Sequence, residues 1–250
     1  MSDLKKYISD LELSEGDNSL HFQPIIEEGI DMLEATEGDE GIMNFKSLNS
    51  FVAGVSKLRQ GDILDSLLLA QRAATKAFPS PDNIMDWYKT YFEVLDKLGW
   101  VFENKDFTVF TSKSNLFEIE NAILEILSTA LTGIQLDILL KTISAFKALG
   151  DGDKRFKAFE NNTHSLKKAC FQLGVAAEEN NTLSIFAFVF MLDTRKKITK
   201  IMFFNSEREA TDFKYCQTKA TLNDDAYNKV REMIKEKLGD VSSFVADLEL

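Results

Sequence analysis

Two kinds of hydrophobic pattern divide the chain. Across residues 44–165 apolar side chains mostly recur at intervals of three and four, which is typical of amphipathic α-helices. Across residues 167–222 they run in four short stretches separated by polar turns, at about 167–177, 183–192, 197–205 and 211–222. The sequence therefore predicts an α+β fold, in which a helical N-terminal half packs on a four-stranded antiparallel β-meander.

The second of these stretches, residues 183–192, decides the layer structure. Its sequence, LSIFAFVFML, is apolar at both odd and even positions. Because successive side chains of a strand point to opposite faces, such a strand belongs in the middle of a sheet that is covered on both sides. We expect helices on both faces, and we expect Phe188 to be buried.

Helical spacing and end signals predict the remaining elements. A short hairpin is expected at 100–111, and a C-terminal helix at 224–238 that begins at Asp224 and ends before Gly239. The helical segments of the first half are expected at 45–58, 62–74, 82–98, 115–131, 134–149 and 156–163.

Charge separates the first 40 residues from the rest of the chain. They hold 12 of the 40 acidic residues and only 2 of the 29 basic ones, so they carry most of the formal net charge of −11. This predicts an acidic N-terminal arm at 1–41, with helix-like spacing at 1–18 and 25–34, followed by a single domain at 42–250. The nearly neutral remainder argues against a nucleic-acid partner, because such binding requires excess positive charge.

The two cysteines, Cys170 and Cys216, give no disulfide framework, and no apolar segment typical of a secretory signal follows Met1. We therefore expect a cytoplasmic protein, or one exported without a classical signal peptide. In a four-strand meander the two thiols would lie at opposite edges, about three spacings of ~4.8 Å apart. They are expected neither to bond each other nor to share a metal.

Enzyme signatures are largely missing from the sequence. The chain contains neither glycine-rich phosphate loops nor zinc-binding or nucleophile motifs, and it has only two histidines, His21 and His164. His164 lies six residues before Cys170, but a cysteine in the middle of a strand is poorly placed to act as a nucleophile. The sequence thus assigns no catalytic, cofactor-binding or metal-ligating residue.

One dense basic cluster is a candidate contact site. It comprises Arg195, Lys196, Lys197 and Lys200, at a predicted hairpin tip and the start of the next strand. These cations are either solvated turn charges or a contact site for an acidic lipid, a phosphate group or the acidic arm.

The helical pair at 115–149 offers a different kind of surface. Between Glu125 and Asp137 it has 11 uncharged residues, fewer than the ~18–20 that a membrane span needs. It is either a core helix pair or a hairpin that inserts into membranes once acid neutralises its carboxylates, which are Glu118, Glu120, Glu125 and Asp137.

These observations favour a non-catalytic interaction protein that binds a protein partner through the acidic arm or the helical face. The alternative is a membrane-active or virulence-type factor that uses the 115–149 hairpin. An enzyme on an unfamiliar scaffold is the second alternative. The sequence indicates no oligomeric state.

Overall fold

The computed structural model describes residues 3–17, 19–22, 36–179 and 182–250. The predicted helical piece at 25–34 lies outside these residues. The described residues form eight α-helices and ten β-strands. The helices are α1 (Asp3–Asp10), α2 (Lys57–Ala77), α3 (Ile84–Leu98), α4 (Ile119–Ala130), α5 (Ile134–Ala148), α6 (Lys154–Thr163), α7 (Asp224–Tyr227) and α8 (Arg231–Leu238). The strands are β1 (Glu40–Asn44), β2 (Ser47–Phe51), β3 (Trp100–Phe102), β4 (Thr108–Phe110), β5 (Leu116–Glu118), β6 (Lys168–Glu179), β7 (Thr182–Thr194), β8 (Asn205–Glu207), β9 (Thr211–Leu222) and β10 (Val245–Leu248).

A mixed sheet of eight strands forms the centre of the described fold. Its order is β10–β1–β2–β6–β7–β9–β3, and β4 pairs with the same edge of β9 further along that strand. The β2–β6 pair is parallel, and the other pairs are antiparallel. A second, two-stranded sheet joins β5 to β8.

Strand β7 is the central apolar strand that the sequence predicts. Phe188 is only 1% exposed, because odd-numbered side chains of β7 enter one hydrophobic core and even-numbered ones enter the other. On the even side, Phe190 stacks on Phe171 of β6 at 4.9 Å between ring centroids and on Phe213 of β9 at 5.6 Å. The rings therefore tie three neighbouring strands together on one face.

Helices cover the sheet on both faces, as expected. The first core is built mainly by α2, α3 and α8, and the second by α4, α5 and α6. On the first face, the buried Tyr88 of α3 reaches the sheet backbone, where its hydroxyl donates to the Phe190 carbonyl at 2.9 Å. The same hydroxyl lies 3.2 Å from the Phe171 carbonyl and accepts from Gln172 Nε2 at 3.3 Å, so this buried polar group is fully satisfied.

The prediction of a four-stranded antiparallel meander is wrong, because the sheet has eight strands and is mixed. Strands β1 and β2 lie where the sequence predicted the end of the acidic arm and a helix at 45–58. All five residues of β2 are buried, including polar Asn49 and Ser50. Their side chains bond Ser47 Oγ at 2.9 Å and Thr142 Oγ1 at 2.7 Å, respectively. Polar residues satisfied inside the core hide the apolar alternation that would have indicated a strand.

Two further strand predictions also differ from the structure. Strands β3 and β4 do not form a hairpin with each other, because both pair with β9. The predicted third strand at 197–205 is a loop with a short 3₁₀ helix at Ile201–Phe203, and β7 pairs directly with β9. The predicted C-terminal helix is divided into α7 and α8, and the side chain of Asn223, not Asp224, caps its start.

Residues 3–14 of the acidic N-terminal segment lie against the first helical layer, and Leu20 and Phe22 pack against the second core. Ile8 of α1 is fully buried in the first core. The Ser14 carbonyl accepts a hydrogen bond from Arg72 Nε of α2 at 2.9 Å, and the Ser9 carbonyl accepts one from Lys237 Nζ of α8 at 2.7 Å. These contacts give the segment a structural role, and the division of the chain at residue 41 stays a prediction.

Charged side chains join α2 to the C-terminal helices. Arg231 Nε and Nη2 donate to the two carboxylate oxygens of the buried Asp62 at 2.6 and 2.8 Å, and Arg59 forms a similar fork with Asp224. Asp65, one turn further along α2, has no such partner. Burial raises the pKa of Asp65 to about 6, with smaller contributions from Asp62 and Glu232 and opposition from Lys235.

Replacing Phe188 by Asp is expected to prevent folding. An unpaired carboxylate in this core costs several kcal/mol, which is comparable with the ~5–15 kcal/mol that stabilises a typical domain. Circular dichroism during heating should show no cooperative transition. The same substitution at Phe203, which is 45% exposed, is the matched control and should melt cooperatively. A cooperatively melting Phe188→Asp variant would refute the central position of β7.

Asp65 should make the protein less stable as pH rises from about 4 to 6. The folded state holds the Asp65 proton up to about pH 6, whereas the unfolded chain releases it near pH 3.8. The stabilisation that comes from the raised pKa of Asp65 is therefore fully present below pH 3.8 and is lost above about pH 6. The Asp65→Asn variant should be more stable at pH 7 by at most ~3 kcal/mol. Urea unfolding at pH 4, 5.5 and 7 measures this. Asp10→Asn, at an exposed position, should keep the parent's pH profile. An Asp65→Asn variant with the parent's profile would contradict the assignment.

Candidate functional site

The predicted basic cluster lies on the loop that follows β7. Ile198, Ile201 and Met202 are buried in the second core and fix this loop to the body of the protein. The backbone amide of Arg195 also donates to the Ala210 carbonyl at 2.9 Å. The loop is therefore held in place, and the polar side chains between these anchors point outward.

Most of the positive charge on this loop is not neutralised. Arg195 Nη2 donates to the backbone carbonyl of Glu209 at 2.8 Å, and Lys196 Nζ donates to the side-chain amide oxygen of Asn205 at 2.9 Å. Lys197 is exposed. Lys200 alone of the four forms an ion pair with a described residue, with Asp151 at 2.6 Å. Three exposed cations thus lack a described carboxylate partner.

An exposed aromatic ring lies beside these cations. Phe203 is 45% exposed, and its ring centroid is 4.8 Å from Lys147 Nζ of α5 and 5.9 Å from Lys200 Nζ. Its inner side contacts Phe156 of α6, with ring centroids 6.4 Å apart. The ring presents an apolar contact area between two ammonium groups, an arrangement that cation–π attraction favours. We call Arg195, Lys196, Lys197, Lys200 and Phe203 the basic–aromatic surface.

Sequence reasoning identified the cations of this surface but missed Phe203. In the predicted strand at 197–205 the aromatic residues were expected behind the bases, in the core. The sequence did contain evidence against this strand, since the buried Ile198, Ile201 and Met202 have the spacing of a helical turn. Lys147 comes from another element, and no sequence pattern places it near Phe203.

The Cys170–His164 pair lies in a different place, in a small cleft between β6, α3 and the end of α6. That cleft is lined by both residues, and its volume is about 130 Å³. His164 Nε2 contacts Glu160 Oε2 at 2.8 Å, and His164 Nδ1 contacts the Ser165 carbonyl at 2.9 Å. Both ring nitrogens thus face acceptors other than the thiol, so His164 is not placed to act as a base for Cys170.

The pKa shifts of the pair agree with this geometry. Burial acts to lower the pKa of His164, but hydrogen bonds to Glu160 and to the Ser165 carbonyl raise it overall. Burial raises the pKa of the Cys170 thiol, against a smaller opposing effect of the Lys46 ammonium. A protonated thiol beside a histidine bound elsewhere is the reverse of an activated nucleophile.

Cys170 and Cys216 are closer than the predicted meander implied. Strands β6 and β9 both pair with β7, so the two cysteines lie two strand spacings apart, about 10 Å, and not three. Both thiols are free and buried, and burial raises the pKa of Cys216 to about 12. Within the described residues, no group of three His, Cys, Asp or Glu side chains is arranged to hold a metal ion.

The predicted helical pair at 115–149 forms α4 and α5. Each helix buries one face in the second core, with Ile123, Leu127 and Leu139 among the buried side chains. Two apolar side chains of the pair remain exposed, Leu124 at 43% in the middle of α4 and Ile134 at 65% at the start of α5. None of the helices in the described ranges has the length and apolarity that a membrane crossing requires.

Comparison with known proteins gave only distant similarity. No protein-family model matches the chain, and no curated protein matches it. Among solved structures, a delta-endotoxin is similar over 80% of this chain and 90% of its own, with a TM-score of 0.43 and 10% identity. The Evf virulence factor is similar over 95% of this chain and 89% of its own, with a TM-score of 0.36 and 9% identity. At this level of similarity neither structure supports a functional argument.

Proposed function

We propose that the protein acts by binding a protein partner through the basic–aromatic surface, without catalysing a reaction. The partner segment is acidic and carries at least one apolar side chain. The observation that carries this proposal is the combination of three exposed cations, which have no carboxylate partner among the described residues, with one exposed ring on a loop that the core holds in place.

The charges of this surface suit recognition better than they suit stability. Exposed ion pairs contribute only ~0–1 kcal/mol, so leaving Arg195, Lys196 and Lys197 without carboxylates costs the fold little. The same charges raise the association rate of an acidic partner through long-range attraction. Phe203 adds an apolar contact of the kind that is enriched at the centre of protein interfaces.

The rim of the surface favours a protein partner over an anionic membrane. Exposed carboxylates lie close to the cations along the chain, at Asp193 before the loop and at Glu207 and Glu209 after it, and Asp151 pairs with Lys200. A uniformly negative membrane would repel these groups. A protein partner can place its own cations opposite them, so that the pattern of both signs contributes to specificity.

Of the two contact regions considered from the sequence, this proposal uses the helical face. Lys147 of α5 and Phe156 of α6 flank Phe203 on that face. Residues 3–14 of the acidic segment contact α2 and α8 on the other side of the sheet, whereas Leu20 and Phe22 pack against the second core.

Charge reversal at the surface should abolish binding of a model acidic peptide. The probe is a fluorescein-labelled peptide of alternating Glu and Asp with one central Leu, and fluorescence anisotropy measures its affinity at several salt concentrations. The triple variant Arg195→Glu, Lys196→Glu, Lys197→Glu should bind more than tenfold more weakly than the parent, a loss above ~1.4 kcal/mol. Phe203→Ser should weaken binding while leaving its salt dependence unchanged, because it removes apolar contact and not charge.

A matched triple variant distinguishes the loss of these three charges from the effect of a lower net charge. Lys76→Glu, Lys89→Glu and Lys229→Glu change the net charge by the same amount at exposed positions elsewhere. If this control weakened peptide binding as much as the first triple variant, or if neither variant had an effect, the basic–aromatic surface would not be the binding site.

The exposed apolar tip of the α4–α5 pair supports a second candidate, a membrane-active function. Ile134 offers a first contact with lipid beside Gly133, whose φ of 56° allows a sharp connection between the helices, and Leu124 is a second exposed apolar side chain in the middle of α4. Insertion would also have to expose the buried faces of both helices, and each Leu or Ile side chain contributes ~1.5–3 kcal/mol to the packed state. A trigger such as acidification is therefore part of this hypothesis.

Dye release from liposomes tests the second candidate. For a membrane-active protein, we expect release from phosphatidylserine-containing vesicles at pH 5 but not at pH 7, and we expect Ile134→Asp to suppress it. Lys113→Asp, at an exposed position that precedes α4, is the control and should release dye like the parent. Absence of release at both pH values would exclude this function under the tested trigger and leave the binding proposal in place.

A further inference from the structure

The β1–β2 hairpin places a lysine in the cleft described above. Residues 45 and 46 form its two-residue loop, because Asn44 pairs directly with Ser47. Phe45 has a backbone φ of 56°, a value that residues other than glycine rarely adopt, and its ring is buried. The backbone amide of Lys46 donates to Gln71 Oε1 at 2.8 Å, and its carbonyl accepts from the amide of Gln172 at 3.0 Å. Lys46 is therefore held in place by a strained turn with both of its backbone groups bonded, and strain of this kind often occurs at functional sites.

The ammonium of Lys46 has no carboxylate partner among the described residues. It donates to the backbone carbonyl of Asn162, and it lies 5.5 Å from the Phe45 ring centroid and 5.7 Å from that of Trp87. The carboxylates around the cleft are engaged by other groups, since Glu160 contacts His164 at 2.8 Å and Asp82 contacts Lys168 at 2.9 Å. Lys46 thus carries a partly desolvated positive charge that no described negative charge offsets.

Three hydroxyl-bearing residues line the same cleft, and one of them, Thr163, already donates its proton to the Phe159 carbonyl at 2.8 Å. Thr75 Oγ1 accepts a hydrogen bond from Trp87 Nε1 at 2.9 Å, and Ser80 Oγ accepts one from the amide of Asp82 at 3.2 Å. In these contacts both oxygens act as acceptors, so their own protons can be donated to a bound group. The cleft volume of about 130 Å³ is well above the ~10–15 Å³ that one water molecule needs.

We propose that this cleft binds a small oxyanion, either a phosphate group or a carboxylate group of a larger ligand. Lys46 supplies the positive charge, and the hydroxyls of Thr75 and Ser80 supply neutral donors. Only the charged end of the ligand enters, because the cleft is small and is bounded by the Trp87 ring. This site is independent of the basic–aromatic surface.

Trp87 provides a direct readout of binding. Inorganic phosphate is titrated into the full chain at pH 7 and constant ionic strength while tryptophan fluorescence is recorded, and acetate is titrated in a parallel series. We expect a saturable change with one of these two anions. It should weaken at least tenfold in Lys46→Met and persist in Lys46→Arg. Lys229→Met, at an exposed position outside both proposed sites, is the control and should respond like the parent.

The two anion series identify the chemistry, and the variants identify the site. A response to phosphate alone supports a phosphate ligand, and a response to acetate alone supports a carboxylate ligand. The proposal is overturned if neither anion gives a saturable change, or if Lys46→Met responds as strongly as the parent.

A second measurement covers the case in which Lys46→Met does not fold. ¹⁵N-labelled parent protein is titrated with the same two anions, and amide shifts are followed by NMR. Saturable shifts confined to Lys46, Asn162 and neighbouring cleft residues support the site. Shifts that are absent, or spread over the exposed lysines of the whole surface, contradict it.

Discussion

The burial of both faces of β7 is the constraint on which the rest of the structure depends. A strand with apolar side chains at odd and even positions is stable only if separate layers cover each side. Here the odd positions require the α2, α3 and α8 layer, and the even positions require the α4, α5 and α6 layer. The stacked rings of Phe171, Phe190 and Phe213 then fix the neighbours of β7 on one face, and the hydroxyl of Tyr88 joins α3 to the strand backbone on the other.

Both candidate sites lie on loops at the ends of strands in the central sheet. The basic–aromatic surface follows the last residue of β7, and buried isoleucines hold its loop against the second core. Lys46 lies at the tip of the β1–β2 hairpin, and its carbonyl is bonded to Gln172 of β6, the neighbour of β7. Side chains placed by loops on a rigid sheet can be exposed without being loosely held, which is what specific recognition needs.

The sequence was informative where a single physical effect dominated. Two-sided apolar character located β7, and helical spacing located α2 to α5, because burial alone decides those patterns. Prediction from the sequence failed where burial and polarity opposed each other. Strand β2 buries Asn49 and Ser50 by bonding them to other side chains, so its pattern resembled a helix. The predicted strand at 197–205 included Phe203, although Ile198, Ile201 and Met202 have the spacing of a helical turn. Lys46 could not be found, since its environment comes from α2, α3 and α6, which only the tertiary fold brings together.

The distribution of charge strengthens the case for recognition over stability. The chain has 40 acidic residues against 29 basic ones, so carboxylates to pair with every cation are abundant. On the loop after β7, three exposed cations nevertheless lack a described carboxylate partner. Because these cations are solvated, the missing ion pairs hardly change the stability of the fold. Attraction of an acidic partner therefore explains the cluster better than a contribution to stability does. Lys46 is different, because a partly buried ammonium loses solvation that only a carbonyl and two rings replace. A positive charge held in a cleft without a carboxylate partner among the described residues, which an anion would neutralise, has the electrostatic character of a binding residue.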